Sequence, residues 1–163
     1  MIFAGRLAGR TGFTLLELLI TLSILATLAV LAVPPTEMLI KKKREHELMM
    51  ALREIRGALD AYKRASDQGR IRTSLGQSGY PPSLKVLVTG TQDATAPAGT
   101  MLYFLRRIPE DPFYSGPAVA PEETWALRSY ASPHDRPQPG VDVFDIHSQS
   151  TEVGSNGIAY NTW

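Results

Sequence analysis

Cysteine is absent from the 163 residues of this chain. No disulfide can brace a small domain, and no thiol can serve as nucleophile or soft metal ligand. That absence suits a periplasmic location but fixes no compartment. An excess of either charge is lacking too, since Lys+Arg 17 against Asp+Glu 16 leave +1 overall. So even a balance gives no electrostatic footprint for nucleic acid, and no nucleic-acid partner is expected. Histidine is scarce, and His46, His134 and His147 fall at spacings that make no metal pattern. There is no Gly-x-Ser-x-Gly elbow and no phosphate-binding glycine loop. No catalytic constellation remains, and the chain is not expected to be an enzyme. Glycine and proline are sparse in residues 36–68 and frequent beyond 69, a shift that divides a helical stalk from a loop-rich head.

The chain does have one long apolar run. Between Phe13 and Val33 the single ionisable residue is Glu17, and the run closes on Pro34-Pro35. About 20 residues at ~1.5 Å each match the hydrocarbon thickness of a bilayer. A carboxylate inside such a run costs roughly 2.5–3.5 kcal/mol on insertion scales, so its presence calls for a neutralising partner. A secretory signal has a shorter apolar core and no acid within it. A plain single-span anchor accounts for the length but leaves Gly12, Phe13 and Glu17 unexplained.

Gly12-Phe13-Thr14-Leu15-Leu16-Glu17, preceded by Arg6 and Arg10, resembles the N-terminal signature of type IV pilins and of type II secretion pseudopilins. The resemblance implies a leader of residues 1–12, cleaved between Gly12 and Phe13 by a prepilin peptidase at the cytoplasmic face. The same enzyme would N-methylate Phe13. It also implies a transmembrane and assembly segment at 13–35 in which Glu17 of one subunit meets the Phe13 terminus of the next. The physics agrees: a free α-amino group, with a pKa near 7.7–8.0, is a natural counter-ion for a carboxylate in lipid. Charge bias alone leaves topology open, because Lys41, Lys42, Lys43 and Arg44 follow the span and would draw that side to the cytoplasm. The leader motif argues the reverse. The basic cluster then reads as a solvated helix face or as a contact to lipid headgroups and neighbouring acids, with Glu45 and Glu47 spaced to partner Lys41 and Lys43.

Past the break expected at Pro34 and Pro35, where a kink or local melting should interrupt the helix, the pattern becomes amphipathic. Leu48, Leu52, Ile55, Leu59 and Tyr62 recur at three and four, joined by Ala51 and Ala58, while Arg53, Glu54, Arg56, Asp60 and Lys63 take the other face. Residues 36–68 should pack on the head through this stripe, with Gly57 allowing close approach and Gly69 capping the end. The head, residues 69–163, should hold a turn and short helix at Tyr80–Leu87 capped by Ser83. A surface loop at 89–100 and strands at Trp125–Tyr130 and Val141–His147 should follow. The fold class is α+β: a long N-terminal helix, half transmembrane and half amphipathic, packed on a small C-terminal antiparallel sheet in the pilin-like manner.

Ile108-Pro109-Glu110-Asp111-Pro112-Phe113 resembles the Leu-Pro-x-Asp-Pro-Trp segment of the major pseudopilins, and Phe144-Asp145-Ile146-His147-Ser148 their Phe-Asp-Ile-Tyr-Ser strand. Asp111 and Asp145 read as a turn residue and a strand residue, not an acid pair. This second resemblance implies the major, fibre-forming subunit of a type II secretion pseudopilus. Such a subunit lies in the inner membrane of a Gram-negative bacterium as a single-pass protein with its head in the periplasm. Its partners would be copies of itself, the peptidase, other pseudopilins, the inner-membrane secretion platform and the lipid bilayer. A minor pseudopilin, a type IV pilin, or a tethered periplasmic binding domain are the alternatives. Major pseudopilins hold calcium in the loop after that strand. Here Ser148, Ser150, Glu152 and Asn156 are the weak candidates, with one carboxylate where Ca²⁺ prefers several, so no cofactor is expected.

Overall fold

A computed structural model describes the backbone of residues 12–163 and all their side chains except those of residues 31–36. The leader with Arg6 and Arg10 lies outside the described residues, apart from Gly12. One helix, α1, spans Leu15–Asp67. Two compact units divide the chain, one ending at Lys41 and the other running Lys42–Trp163, and α1 contributes to both. The break expected at Pro34 and Pro35 does not appear as an interruption, because the backbone stays helical through both. Two adjacent prolines remove two N–H donors from a ladder of many tens, and the bonds on either side keep the helix.

None of the described side chains of the first unit is buried. Leu15, Leu16, Leu18, Leu19, Ile20, Leu22, Ile24, Leu25 and Leu28 are all more than half exposed, on every side of the helix. A helix apolar all round is stable only where something apolar surrounds it.

The second unit is built on the amphipathic part of α1. Leu48, Ala51, Leu52, Ile55, Ala58, Leu59, Tyr62 and Ala65 are buried at helical spacing, so the expected stripe is the core seam. Full burial of each large aliphatic side chain contributes about 1.5–3 kcal/mol. Gly57 points away from this seam, and a Cβ there would meet nothing within 4 Å. The close approach expected of it is therefore absent; the seam is narrowed by Ala51 and Ala58 instead. α1 ends as the sequence indicates. Gly69 adopts φ 71, its N–H bonds Ser66 O at 2.9 Å, and Arg70 N–H reaches back to Ala65 O at 2.9 Å. That crossed pair satisfies two carbonyls the helix end would otherwise strand.

Beyond α1 regular structure is brief. Helix α2, Lys85–Thr89, starts at Leu84 with no side-chain cap, so Ser83 contributes its carbonyl to Val86 N–H and not its hydroxyl. Strand β1, Thr91–Gln92, lies inside the stretch 89–100 expected to be plain loop, and pairs antiparallel with β2, Met101–Leu102, directly after it. Strands β3, Trp125–Arg128, and β4, Asp145–Ser148, form the second antiparallel pair, with Trp125 opposite Ser148 and Leu127 opposite Ile146. β4 starts later than the aliphatic run implied. Val143 N–H is taken by Pro81 O at 2.8 Å, and Asp142 turns its carboxylate onto Ser78, Ser129 and Tyr130 N–H.

Where the loops lack strands, buried carboxylates hold them. Asp93 accepts from the Arg70 guanidinium, and its other oxygen takes Thr95 N–H at 3.0 Å and Thr95 Oγ1 at 2.7 Å. The arginine hydrogen bond, then those from Thr95, hold the carboxyl down at about 2. A group whose pKa is lower folded than unfolded stabilises above its unfolded value and loses that contribution as acid protonates it. Asp93→Asn should therefore weaken a fragment of residues 42–163 above about pH 4, with the deficit vanishing towards pH 2. Thermal melts followed by circular dichroism from pH 7 to pH 2 check this. A deficit that persists unchanged at pH 2 would contradict it.

Candidate functional site

Two groups of sequence-selected residues lie far apart along the chain. The first is the head of α1. Thr14 precedes the helix, and its hydroxyl accepts Glu17 N–H at 3.2 Å. Glu17 also stands in the first turn, where a carboxylate suits the positive end of the helix dipole. Thr14-Leu15-Leu16-Glu17 thus has the form of a capping box, a signature legible in the sequence that marks where the helix begins. Thr14, named above only as part of the motif, is thus also the cap of α1.

Gly12 and Phe13 are exposed, Phe13 at 74 %. A Cβ at Gly12 would meet nothing within 4 Å. Among the described residues the fold makes no demand for glycine at 12. Further on, the Thr21 hydroxyl donates to Leu18 O at 3.0 Å, and that of Thr27 to Ser23 O and Ile24 O at 3.1 and 2.8 Å. Both hydroxyls are satisfied within the helix and ask for no water. Among the described residues no helix is long and apolar enough to cross a membrane. The described side chains of the apolar run stop at Val30, while the run in the sequence goes on to Val33.

The second group is the C-terminal loop and what anchors it. Asp111 is buried and acts as the turn residue expected: one oxygen takes Phe113 N–H at 2.9 Å, the other Ser148 Oγ at 2.6 Å. Trp125 Nε1 donates to Pro109 O at 2.8 Å, so the Ile108–Phe113 segment is tied to both strands of the β3–β4 pair. Asp145 stands apart from it in β4, where it accepts Arg56 Nε at 2.7 Å. The same guanidinium donates to Ile146 O and Trp163 O, fastening α1 to β4 and the last residue.

Glu45 was the less legible residue. Its sequence position suggests a surface partner for Lys41, yet it is 5 % exposed and continues the buried stripe one turn below Leu48. Its carboxylate takes Ser155 N–H at 2.7 Å, the Ser155 hydroxyl, and Tyr160 O–H at 2.8 Å. Burial and then the Glu45 hydrogen bond push the Tyr160 phenol up to about 12. Phe113 stacks on Tyr160 at 3.9 Å between centroids, and Trp163 meets it edge-on at 5.1 Å. Gly154 sits so close that a Cβ would come within 2.7 Å of the Trp163 ring. Glu47 does what its spacing suggests, lying 3.8 Å from Lys43.

The calcium candidates share this loop but are spent internally. Ser148 Oγ donates to Asp111 and accepts Ser150 N–H; Ser150 Oγ accepts Glu152 N–H; Asn156 Oδ1 accepts Ile158 N–H. Glu152 is the loop's one carboxylate. Among the described residues no three of His, Asp and Glu gather as metal ligands. His147 lies in β4 beside Ser148 O, while His46 and His134 are exposed elsewhere.

Residues 7–33 match the family model of the prokaryotic N-terminal methylation motif. No curated protein and no solved structure matches the chain.

A chelator should leave the melting temperature of a 42–163 fragment within about 1 °C of its value in millimolar calcium, since the loop is held by Glu45 and Asp111. A rise of several degrees with calcium, abolished by Glu152→Ala, would show a site that the hydrogen bonding conceals.

Proposed function

We propose that the chain is a structural subunit of a type II secretion pseudopilus, a polymerising part and not an enzyme. It is inserted in the inner membrane of a Gram-negative bacterium by a single helix, with its head in the periplasm. A prepilin peptidase cuts between Gly12 and Phe13 and methylates Phe13. Copies of the chain then join one another and other pseudopilins on the inner-membrane platform, and growth of the fibre drives export. The observation that carries this reading is the methylation motif at 7–33 running directly into a helix whose apolar side chains are exposed on every side. Such a surface needs lipid before assembly and neighbouring helices after it.

Glu17 supplies the register. In lipid its carboxylate is expensive unless a cation meets it, and the methylated Phe13 terminus of an offset neighbour is a cation at that depth. The Ile108–Phe113 and Phe144–Ser148 segments, locked together through Asp111 and Ser148, support the major subunit. The final loop, with Glu152 as its one acid, favours a second reading as a minor pseudopilin or a type IV pilin.

Two outcomes test the proposal. Gly12→Leu should leave the chain uncut, and mass spectrometry of the wild type should find N-methyl-Phe13 at its start; an intact leader on the wild type would refute the processing step. Glu17→Leu should still insert and be cleaved, because the helix becomes more apolar and the scissile bond is untouched. It should lose fibre formation and secretion by at least tenfold, with Glu17→Asp intermediate, as scored by fibres on overexpression and crosslinking of cysteines at 28 and 36. Wild-type fibre and secretion from Glu17→Leu would move a membrane-tethered periplasmic binding domain to the front.

A further inference from the structure

We infer that a cleft in the second unit, lined by Tyr62, Tyr80 and Tyr130 with Arg72, Gln77 and Asp142, binds a neutral saccharide chain. The inference does not depend on the membrane reading above, since every lining residue belongs to the second unit. The cleft measures about 610 Å³, within the ~300–1,000 Å³ of small-ligand sites. Tyr62 stands on the buried stripe of α1, Tyr80 is half-buried, and Tyr130 is 59 % exposed. Among the described residues, the hydroxyls of all three, the Arg72 guanidinium and the Gln77 amide nitrogen have no hydrogen-bond partner. Polar groups set this deep in a fold are ordinarily satisfied. Unspent donors and acceptors around one cavity suit a ligand rich in hydroxyls.

The rings are fixed in advance. Tyr80 and Tyr130 stack at 5.9 Å between centroids with 25° between their planes, and both meet Phe144 edge-on, at 5.1 and 5.5 Å. Asp142 ties down the backbone that carries them. It accepts the Ser129 hydroxyl at 2.6 Å, Tyr130 N–H at 2.9 Å and the Ser78 hydroxyl, and Ser78 Oγ accepts Tyr80 N–H at 3.3 Å. Little freedom is therefore lost when a ligand covers the pair. A pyranose ring has C–H groups on its faces and hydroxyls round its edge. The C–H face suits a tyrosine ring, while the hydroxyls suit phenol, guanidinium and amide groups, which between them donate and accept. Charge selects a neutral chain, because the Asp142 carboxylate opposes an anion and Arg72 opposes a cation. A peptide fits less well. Among the described residues no strand lines the cleft, so an extended peptide finds no sheet edge to join.

The six tyrosines of the chain give the test its own control. The full-length chain, with isotope-labelled tyrosine rings, is studied by nuclear magnetic resonance in a detergent without sugar headgroups. Maltotetraose, cellotetraose and chitotetraose are each added to about 10 mM, enough to populate a site of millimolar affinity. At least one should move the Tyr62, Tyr80 and Tyr130 signals and leave those of Tyr103, Tyr114 and Tyr160 in place. Tyr130→Ala should weaken that binding by about tenfold and Arg72→Gln by about fivefold, while Tyr130→Phe stays within about threefold. Wild-type positions for Tyr103, Tyr114 and Tyr160 in each variant establish that it folds. Signals unmoved by all three sugars overturn the inference, as do shifts that survive Tyr130→Ala or spread to all six rings. A proline-rich peptide that moves the same three signals where the sugars do not overturns it in favour of a peptide groove.

Discussion

The structure depends on one helix that has to satisfy two surroundings in turn. Up to Ile40, the described apolar side chains of α1 are exposed on every side of the helix. From Glu45 to Ser66 the same helix buries one stripe and solvates the other. The switch is made by composition, not by a chain break, since the backbone stays helical from Leu15 to Asp67. A helical ladder of hydrogen bonds lets a peptide segment lie in lipid, because nearly all its N–H and C=O groups find partners within the segment, the two bonds that Pro34 and Pro35 cannot donate apart. Carried on into the head, that ladder makes the helix the base on which the loops are built.

Those loops have little else to rely on. The strands are two to four residues long, and no disulfide is available. Buried carboxylates fill the gap. Glu45 fixes the last loop to α1, Asp111 joins the Ile108–Phe113 turn to β4, Asp142 binds Ser78 to the end of β3, and Asp93 binds Arg70 and Thr95. Asp142 shows how such a group is tolerated. Burial works to raise its pKa, but hydrogen bonds from Ser129, Ser78 and Tyr130 outweigh that and leave it below the usual carboxylate range. An acid that accepts several donors at once does for a small domain what a crosslink does elsewhere, provided every lone pair is met.

Legibility followed the physics of each signal. The seam from Leu48 to Tyr62 and the stop at Gly69 were readable because periodicity and a left-handed glycine are local properties of the chain. β3 was readable from its bounded apolar run, and Asp111 as a turn residue from its place between prolines. Glu45 was not, because a helical wheel assigns a charged residue to water, and only the distant Ser155 and Tyr160 make its burial tolerable. Ser83 looked like a cap, but capping depends on where the first turn closes, which Leu84 decided. The two-residue pair β1–β2 falls below any sequence period. At the N-terminus, Gly12 and Phe13 stand out by sequence pattern alone, and both are exposed in the structure.

The arrangement also bears on how a pull on the helix reaches the head. Residues 42–67 of α1 are themselves part of the second unit's core, with Leu48, Ile55 and Leu59 at or below 1 % exposure. Arg56 holds Asp145, Ile146 and Trp163 from that helix, and Glu45 holds Ser155 and Tyr160. A displacement of this part of α1 is therefore passed at once to β4 and to the C-terminal loop, through charge-assisted bonds that are shorter and stronger than neutral ones. Sliding the helix out would strand a buried carboxylate and half-bury an unpaired guanidinium, on top of exposing the seam. Within the second unit, residues 42–67 of α1 and the loops fastened to them therefore move together.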